Sequence, residues 1–328
     1  MRNPYYTGPA TDHFDGERFF LPGVASDKSR ADLLRWRREG GRARWPKQAP
    51  SPFQDRPPAR VEGLRVTAIG HASFLIQLAG LNLLVDPVWS SRAGPFGLLG
   101  PRRVNQPGIA FADLPPIDVV LITHNHYDHM DLGTLKRLAR QHRPHFVTPL
   151  GNDSLIRRVA KAATISVLDW GDAADLAPGI TAHLRPCQHW SARGLRDRRM
   201  ALWGAFVLTS PAGTVYHIGD TGFGDGAIFP AIPAEFGPPD LAILPIGAYE
   251  PRWFMANHHM NPEEAVRGFR ACQARAAIAH HWGTFQLTNE AIDAPPYALA
   301  AALAEHAIAP QRFRALHPGE VWTLKDET

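Results

Sequence analysis

The spacing of hydrophobic and polar residues changes twice along the chain. Residues 1–60 are rich in proline, arginine and aromatic side chains, and show one helical pattern, over about residues 29–39. From residue 63 the chain turns to short β-type runs, in the segments LRVTAIG, SFLIQLAG, LNLLVDP and IDVVLIT. We therefore predict an N-terminal arm over residues 1–60 with a short basic helix, and a main domain over residues 61–328.

Helical spacing follows the fourth of these runs. Leu132, Leu135 and Leu138 share one face of a predicted helix, with Asp131 as its N-cap. Strands and helices then alternate, and the pattern predicts strands in HFVTPLG, TISVLD, ITAHLRPC, LWGAFVLTS, GTVYHIG, DLAILPIG and AAIAHH, and helices in NDSLIRRVAKA, PEEAVRGFRACQ and about 295–306. This order predicts an α/β fold, an αββα sandwich of two packed mixed sheets with helices on both outer faces.

The composition is that of an ordinary globular protein. The chain has 328 residues, of which 45% are hydrophobic and 20% charged, and its apolar runs fall short of the roughly 20 residues that a membrane-spanning helix needs. The N-terminal residues lack the apolar core of a secretory signal. Cys187 and Cys272 have no C-x-x-C partner, which is typical of a reducing compartment. We therefore expect a cytoplasmic protein.

Positive charge is concentrated in residues 28–47. This stretch also contains Leu33, Leu34, Trp36 and Trp45. Its basic residues are Lys28, Arg30, Arg35, Arg37, Arg38, Arg42, Arg44 and Lys47. A basic residue near an anionic membrane contributes about 1 kcal/mol, so one prediction is a peripheral contact with the inner face of the membrane. The alternative is an arm that packs its tryptophans and leucines on the main domain.

The segment Thr123–His129, with the sequence THNHYDH, lies between a predicted buried strand and a capped helix. His124 and His126 are two residues apart at the end of an extended strand, so their side chains point to the same side and can share a metal ion. Asp128 and His129 follow in the turn. Imidazole nitrogens and carboxylate oxygens are ligands of zinc, and the motif therefore indicates a metal site.

Three further candidate ligands also follow apolar strands. These are His189, Asp220 in a G-D-T-G turn, and His281. Each is unremarkable alone, but all three together with the H-x-H-x-D-H motif predict a site for two metal ions. The chain contains no G-x-x-x-x-G-K loop, G-x-S-x-G elbow or H-E-x-x-H helix, so nothing in the sequence indicates a serine nucleophile.

Longer strings connect the chain to a known family. They are Asp86-Pro87 with Ser90-Ser91-Arg92, LPPID (114–118), THNHYDH, GDTG, PIGAYEPRWFM (245–255), PEEAV (262–266) and HWGTF (281–285). On these residues the chain resembles the metallo-β-lactamase superfamily and, within it, the N-acyl-phosphatidylethanolamine phospholipase D branch. The resemblance covers about residues 64–322 and implies that residues 61–328 form a catalytic domain with the metallo-β-lactamase fold.

The resemblance also implies an arrangement of the site. It implies two Zn²⁺ ions per chain, one bound by His124, His126 and His189, the other by Asp128, His129 and His281, with Asp220 bridging them. The catalytic residues would be Asp128, Asp220 and His259, and the substrate-binding residues Tyr249, Trp253 and His259. His259 could instead be a surface residue or support its neighbours, and Trp253 could belong to the core. Near the site, His71 is expected to support a ligand, and His280 to point away from His281.

The activity that the resemblance implies is zinc-dependent hydrolysis of N-acyl-phosphatidylethanolamine-type phospholipids to N-acylethanolamine and phosphatidic acid, by a hydroxide held between two metal ions. The main alternative is a lactonase or another hydrolase on the same metals. A β-lactam hydrolase, a nuclease and a non-catalytic binding module are less well supported. The expected partner is a phospholipid or another phosphodiester, not a nucleic acid. The oligomeric state, including a homodimer, and the use of iron or manganese stay open.

Overall fold

Two seven-stranded mixed sheets form the centre of the molecule. In the computed structural model, residues 3–24 and 28–324 are described, except for the side chain of Arg30. Residues 1–2 and 25–27 of the predicted arm, and residues 325–328 of the predicted main domain, lie outside the described residues.

The elements are numbered along the chain. The first sheet consists of β1 (Leu64–Gly70), β2 (Ser73–Leu78), β3 (Leu81–Val85), β4 (Val119–Leu121), β5 (His145–Pro149), β6 (Ile165–Leu168) and β14 (Val321–Thr323). The second consists of β7 (Ala173–Ala177), β8 (Ile180–Arg185), β9 (Ala205–Thr209), β10 (Val215–His217), β11 (Leu241–Pro245), β12 (Ala276–His280) and β13 (Phe313–Arg314). The α-helices are α1 (Arg30–Glu39), α2 (Leu132–Gln141), α3 (Asp153–Val159), α4 (Ile228–Phe236), α5 (Arg252–Met255), α6 (Pro262–Ala271) and α7 (Ala294–Glu305).

Both sheets combine an antiparallel and a parallel part. In the first, β14, β1, β2 and β3 pair antiparallel, and β3 to β6 pair parallel. In the second, β7 to β10 pair antiparallel, and β10 to β13 pair parallel. Parallel strands end at the same edge of a sheet, which is where ligand sites of α/β folds are found. The predicted metal ligands follow β4, β8, β10 and β12.

Alternate residues of the strands face different layers. In β4, Val119 and Leu121 belong to the core that both sheets share, whereas Val120 packs with Leu135 and Leu138 of α2. The period of two along a strand places successive side chains on opposite faces. Helices α2 and α3 therefore cover the first sheet, and α6 and α7 pack on the second, where Phe269 and Leu303 are buried. The predicted αββα sandwich is confirmed.

Some elements are absent from the predictions. Strand β7 shows only weak alternation between polar and apolar residues. Helix α4 contains Pro230 in its first turn and Pro233 in its interior, and interior proline normally argues against a helix. Burial of Phe229 and Ile232 in the hydrophobic core, with the Phe229 ring against Gly268 of α6, stabilises α4 in spite of these prolines. Tertiary packing determines whether these two segments form a strand and a helix, and the local spacing of residues does not show that packing.

The N-terminal arm packs on the main domain through its tryptophans. The indole of Trp36 donates to Asn289 Oδ1 at 3.0 Å, and the indole of Trp45 donates to the Glu290 carbonyl at 2.9 Å. Leu34 of α1, by contrast, is 59% exposed. The structure thus favours the packed alternative for the tryptophans but not for this leucine. None of the helices in the described part of the chain has the length and apolar character of a membrane span.

Both cysteines are buried, and we expect them to be unreactive in the native protein. Burial raises the pKa of the Cys272 thiol to about 11 and holds the pKa of Cys187 well above its usual value. The thiolate is the reactive form, so neither side chain should be alkylated by iodoacetamide near neutral pH. Mass spectrometry should show no adduct on the native chain and two adducts after unfolding in denaturant. An adduct on the native chain would contradict the burial of these thiols.

Candidate metal centre

Three imidazoles converge at the carboxyl ends of β4 and β8. His126 Nδ1 lies 2.8 Å from His124 Nε2 and 3.2 Å from His189 Nε2. Burial lowers the pKa of His126 to about 4 and the pKa values of His124 and His189 well below the usual value. These rings are therefore neutral at physiological pH. Neutral imidazoles whose nitrogens face one another are suited to hold a cation.

A second group lies beside the first. Asp128 Oδ2 is 3.2 Å from His281 Nε2 and 3.7 Å from His129 Nε2. His71 contacts the same carboxylate oxygen through Nε2, at 2.8 Å. This group of two imidazoles and a carboxylate, supported by a third imidazole, can also hold a cation.

Asp220 lies between the two groups. Its Oδ2 is 3.1 Å from His129 Nε2 and 3.0 Å from His281 Nε2 in the second group. The same oxygen is 3.6 Å from His189 Nε2 and 4.0 Å from His124 Nε2 in the first group. One carboxylate therefore faces both groups, which is the arrangement expected of a bridging ligand.

The atoms at this point lack ordinary partners. Among the described residues, the buried Asp220 Oδ1 has no hydrogen-bond partner. His129 Nε2 and His281 Nε2 lie 3.1 and 3.0 Å from Asp220 Oδ2, but these contacts do not have the geometry of a hydrogen bond. Buried polar groups nearly always form hydrogen bonds, and a buried polar atom without a partner commonly marks a site for an ion or a water molecule. The donor set of nitrogens and carboxylate oxygens is one that transition metals bind. The residues present therefore fit a metal centre.

The charges of the buried side chains also fit a metal centre. Burial acts to raise the pKa of Asp220, but the imidazoles of His129 and His281 outweigh it and hold this pKa well below its usual value. Burial acts to lower the pKa of His281, and Asp220 and Asp128 outweigh it and raise the pKa to about 9. The buried carboxylates are thus ionised and require positive charge nearby. A metal cation would replace the protons of these imidazoles.

Asp86 contacts a predicted metal ligand, although its place in the sequence does not mark it as a ligand itself. It follows β3, is fully buried, and its Oδ2 lies 2.7 Å from His129 Nδ1. Its two oxygens also accept from the main-chain N–H and the hydroxyl of Thr123. Asp86 therefore orients His129, much as His71 contacts Asp128 from the other side. Its position at the end of a buried strand, in the Asp86-Pro87 string, is the signal that could have identified it.

The Asp86→Ala variant is expected to bind zinc roughly 10–100-fold more weakly, because a ligand that loses its supporting carboxylate loses orientation and basicity. Competition with a zinc-chelating dye measures this. The matched control is Asp113→Ala, which removes a half-buried carboxylate before β4 and should leave zinc affinity unchanged. Equal affinities for the two variants would show that Asp86 does not support the site.

Main-chain geometry separates His280 from His281. His281 follows β12 with a left-handed φ of 65°, and its N–H donates to the His71 carbonyl at 3.0 Å. A Cβ at Gly247 would lie 2.1 Å from the His281 carbonyl oxygen, so only glycine permits this approach. His280 remains in the strand and packs near His217 and Phe74. The expectation that the two neighbours point apart is confirmed.

The fold and this site can be compared with known proteins. A family model described as a beta-lactamase superfamily domain matches residues 81–282. The chain belongs to the metallo-β-lactamase superfamily. The predicted fold and superfamily are thereby confirmed.

Two relatives place the chain within this superfamily. The N-acyl-phosphatidylethanolamine-hydrolyzing phospholipase D 1 of Caenorhabditis elegans is 36% identical over 274 residues, which cover 80% of this chain and 77% of the relative. A metal-dependent hydrolase of Pyrobaculum neutrophilum is 30% identical over 234 residues, which cover 69% of this chain and 88% of the relative. The chain is therefore a metal-dependent hydrolase of the phospholipase D-like branch.

Solved structures agree on the fold. The isothiocyanate hydrolase from Delia radicum gut bacteria superimposes with a TM-score of 0.63 and 22% sequence identity, covering 79% of this chain and 99% of that chain. The superposition shows a common fold, and at this identity it indicates nothing about the substrate.

The remaining predicted residues of this superfamily member lie at different distances from the metal centre. The ring of His259 is 5.0 Å from that of His281, and its Nδ1 is 4.0 Å from Asp220 Oδ2. Trp253 lies against α1 instead, with the Arg35 guanidinium 4.2 Å from its ring and its N–H donating to Glu39. The structure thus brings His259 to the centre, whereas Trp253 contacts the arm and is partly exposed.

Tyr249 lies in a loop that Glu290 holds. The main-chain N–H groups of Ala248 and Glu250, on either side of Tyr249, donate to the Glu290 carboxylate at 2.6 and 3.2 Å. Burial raises the pKa of Tyr249 to about 12, so its hydroxyl stays protonated. Substrate binding by Tyr249 and Trp253 stays a prediction.

Proposed function

We propose that the enzyme is a zinc-dependent phosphodiesterase that hydrolyses N-acyl-phosphatidylethanolamine-type phospholipids to N-acylethanolamine and phosphatidic acid. The observation that carries the proposal is Asp220, whose one oxygen faces both ligand groups. A centre that places two cations side by side suits a phosphodiester, whose two non-bridging oxygens can each approach one cation.

We assign one metal position to His124, His126 and His189 and the other to Asp128, His129 and His281, with Asp220 shared. Two zinc ions bound there would supply an activated water and offset negative charge on the phosphate. Asp86 and His71 keep His129 and Asp128 in place from behind. His259, which burial keeps neutral by lowering its pKa to about 3, can donate a hydrogen bond to the phosphate or to the departing oxygen.

An apolar groove adjoins the first ligand group and suits the acyl chains of such a substrate. It has a volume of about 700 Å³, and its walls include Leu33, Leu34, Trp190, Leu195 and Phe254. The ring of Trp190 lies 4.6 Å from that of His126. A lipid in this groove could therefore extend from the metal centre along apolar side chains.

In the proposed reaction, water forms a bond to phosphorus and the bond between phosphorus and the ethanolamine oxygen breaks. The departing oxygen takes a proton and leaves as the hydroxyl of N-acylethanolamine, and the phosphate stays on phosphatidic acid. The cytoplasmic location and the absence of nucleic-acid binding stay predictions, and the oligomeric state stays open.

The test is a product assay with N-acyl-phosphatidylethanolamine in detergent micelles, using the zinc-loaded enzyme. Mass spectrometry should find N-acylethanolamine and phosphatidic acid. Diacylglycerol with phosphorylated N-acylethanolamine would show cleavage on the glycerol side. A protein that leaves the phospholipid intact and opens a lactone would refute the phosphodiesterase and establish the lactonase alternative.

A further inference from the structure

A separate cavity lies behind His71, the residue that contacts the predicted metal ligand Asp128. It has a volume of about 410 Å³, within the range of about 300–1,000 Å³ that is typical of small-molecule sites. Ala68 of β1 and Ala279 of β12 both line it, so each sheet contributes to its wall. Among the described residues, none that lines this cavity also lines the apolar groove. A ligand here would therefore not occupy the groove that we assign to acyl chains.

Hydrogen bonds between distant segments hold the walls of this cavity. The Ser51 hydroxyl of the arm donates to the Pro318 carbonyl at 2.5 Å. On another wall, the side-chain amide of Asn105 donates to the Gly283 carbonyl at 2.8 Å. All four of these residues line the cavity. The cavity is therefore a preformed feature of the fold.

Aromatic rings from three segments line this cavity. They belong to Trp282 after β12, Tyr297 in α7 and His317 before β14. The rings of Trp282 and His317 pack edge to face, with their centres 5.4 Å apart, and Tyr297 is 72% exposed. The negative faces of tryptophan and tyrosine rings attract organic cations. The lining is thus of a kind that recognises positive charge on an apolar group.

The charged groups of the lining also favour a cation. Asp293 is the one carboxylate among the lining residues, which include no lysine or arginine. Its carboxylate does not cap α7 and forms no ion pair with a described residue. The guanidinium of Arg103 stays outside the lining, where it donates to the Val88 carbonyl and stacks on Phe285. Asp293 therefore presents an uncompensated negative charge to the cavity.

The start of α7, which reaches this cavity, does not offer the donors of an anion site. Anions at a helix N-terminus are bound by free main-chain N–H groups. Pro295 and Pro296 have no N–H, and the N–H of Ala294 donates to the Ala291 carbonyl. The main chain at this end of the helix thus gives an anion little to bind.

We propose that this cavity binds a small organic cation of the quaternary ammonium type, at the Asp293 carboxylate and the rings of Trp282 and Tyr297. Such a group spreads its charge over methyl groups, so it can contact aromatic rings and apolar side chains in one site. The buried Leu316 provides apolar lining of this kind. Binding of the cation does not rest on the proposed function.

Isothermal titration calorimetry of choline chloride into the full zinc-loaded chain, at constant ionic strength, tests the proposal. We expect a single saturable site. The control ligand is the alcohol in which a carbon atom replaces the nitrogen of choline, because it keeps the shape and removes the charge. It should bind at least about fivefold more weakly, since the attraction to the rings and to the carboxylate is lost.

Phosphocholine separates a free cation from a lipid head group. It carries the same quaternary ammonium group together with the phosphate that a phospholipid would present. Because no lysine or arginine lines the cavity, the phosphate gains no partner and is repelled by Asp293. Phosphocholine should therefore bind more weakly than choline.

Two substitutions at exposed positions locate the site. Asp293→Asn and Tyr297→Leu should each weaken choline binding about threefold, and the double variant roughly tenfold. Tyr297→Phe keeps the ring and should bind as the wild type. The control for the charge is Glu305→Gln, which removes an exposed carboxylate from the other end of α7 and should also leave binding unchanged. Circular dichroism should show the wild-type fold for each variant.

Binding is measured without hydrolysis, so a failure of the proposed phosphodiesterase would leave this result unaffected. The absence of saturable choline binding would overturn the proposal, as would equal binding of choline and its neutral analogue. Wild-type affinity in the double variant would place the cation elsewhere and overturn the assignment to this cavity. Tighter binding of phosphocholine than of choline would identify a lipid head group as the ligand and contradict the assignment to a free cation.

Discussion

The Asp220→Asn variant is expected to lose about three orders of magnitude in kcat while keeping the wild-type fold. Asparagine preserves the shape of the side chain but removes the charge that faces both ligand groups. Stabilisation of transition-state charge by a metal centre contributes several kcal/mol, and each 1.4 kcal/mol or so corresponds to a tenfold change in rate. Steady-state kinetics and circular dichroism measure the two parts of this expectation.

The control for this variant is Asp225→Asn. Asp225 is exposed, five residues along the chain, and its carboxylate accepts from the Ala227 main chain. The same chemical change there should leave kcat unaltered. Near-normal turnover of Asp220→Asn would exclude a bridging role for Asp220.

The His259→Ala variant is expected to lose roughly 100-fold or more in kcat, the range for a side chain that donates to a reacting group. Its metal content should equal that of the wild type, because we assign His259 to the substrate. His259 is buried, its Nδ1 has no hydrogen-bond partner among the described residues, and its ring lies 5.1 Å from that of His189. Kinetics and elemental analysis of the same sample provide both readouts.

The control for His259 is His183→Ala, which removes a half-buried histidine from β8. Its kinetics should match the wild type. A His259→Ala variant that has lost an ion would show that His259 is a metal ligand, and one with unchanged kcat would show that it has no part in the reaction.

Much of the fold can be predicted from the sequence, because its signals are local. Helix α2 has Asp131 at its cap and leucines on one face, and α6 has the Asn261 capping box with Pro262 at its start. The pairing of β14 with β1 could not be predicted in this way. Those strands are more than 200 residues apart, and three residues of β14 carry no spacing that identifies a partner.

The candidate site could also be predicted from the sequence only in part. His124 and His126 could be grouped from their spacing of two at a strand end, and the structure brings both to His189. The approach of Asp220 to both groups depends on the packing of one sheet on the other, which spacing does not describe. The support of His129 by Asp86 joins residues that follow two neighbouring strands, and the contact of Trp253 with Arg35 of α1 joins segments more than 200 residues apart.

The central claim is that seven side chains form one centre for two metal ions. Elemental analysis of chelator-stripped protein after dialysis against zinc tests it most directly, with ions counted per chain and activity measured on the same sample. We expect two zinc ions per wild-type chain, with activity restored as the second ion binds. One ion per chain at full activity, or activity that survives complete removal of metal, would contradict the account.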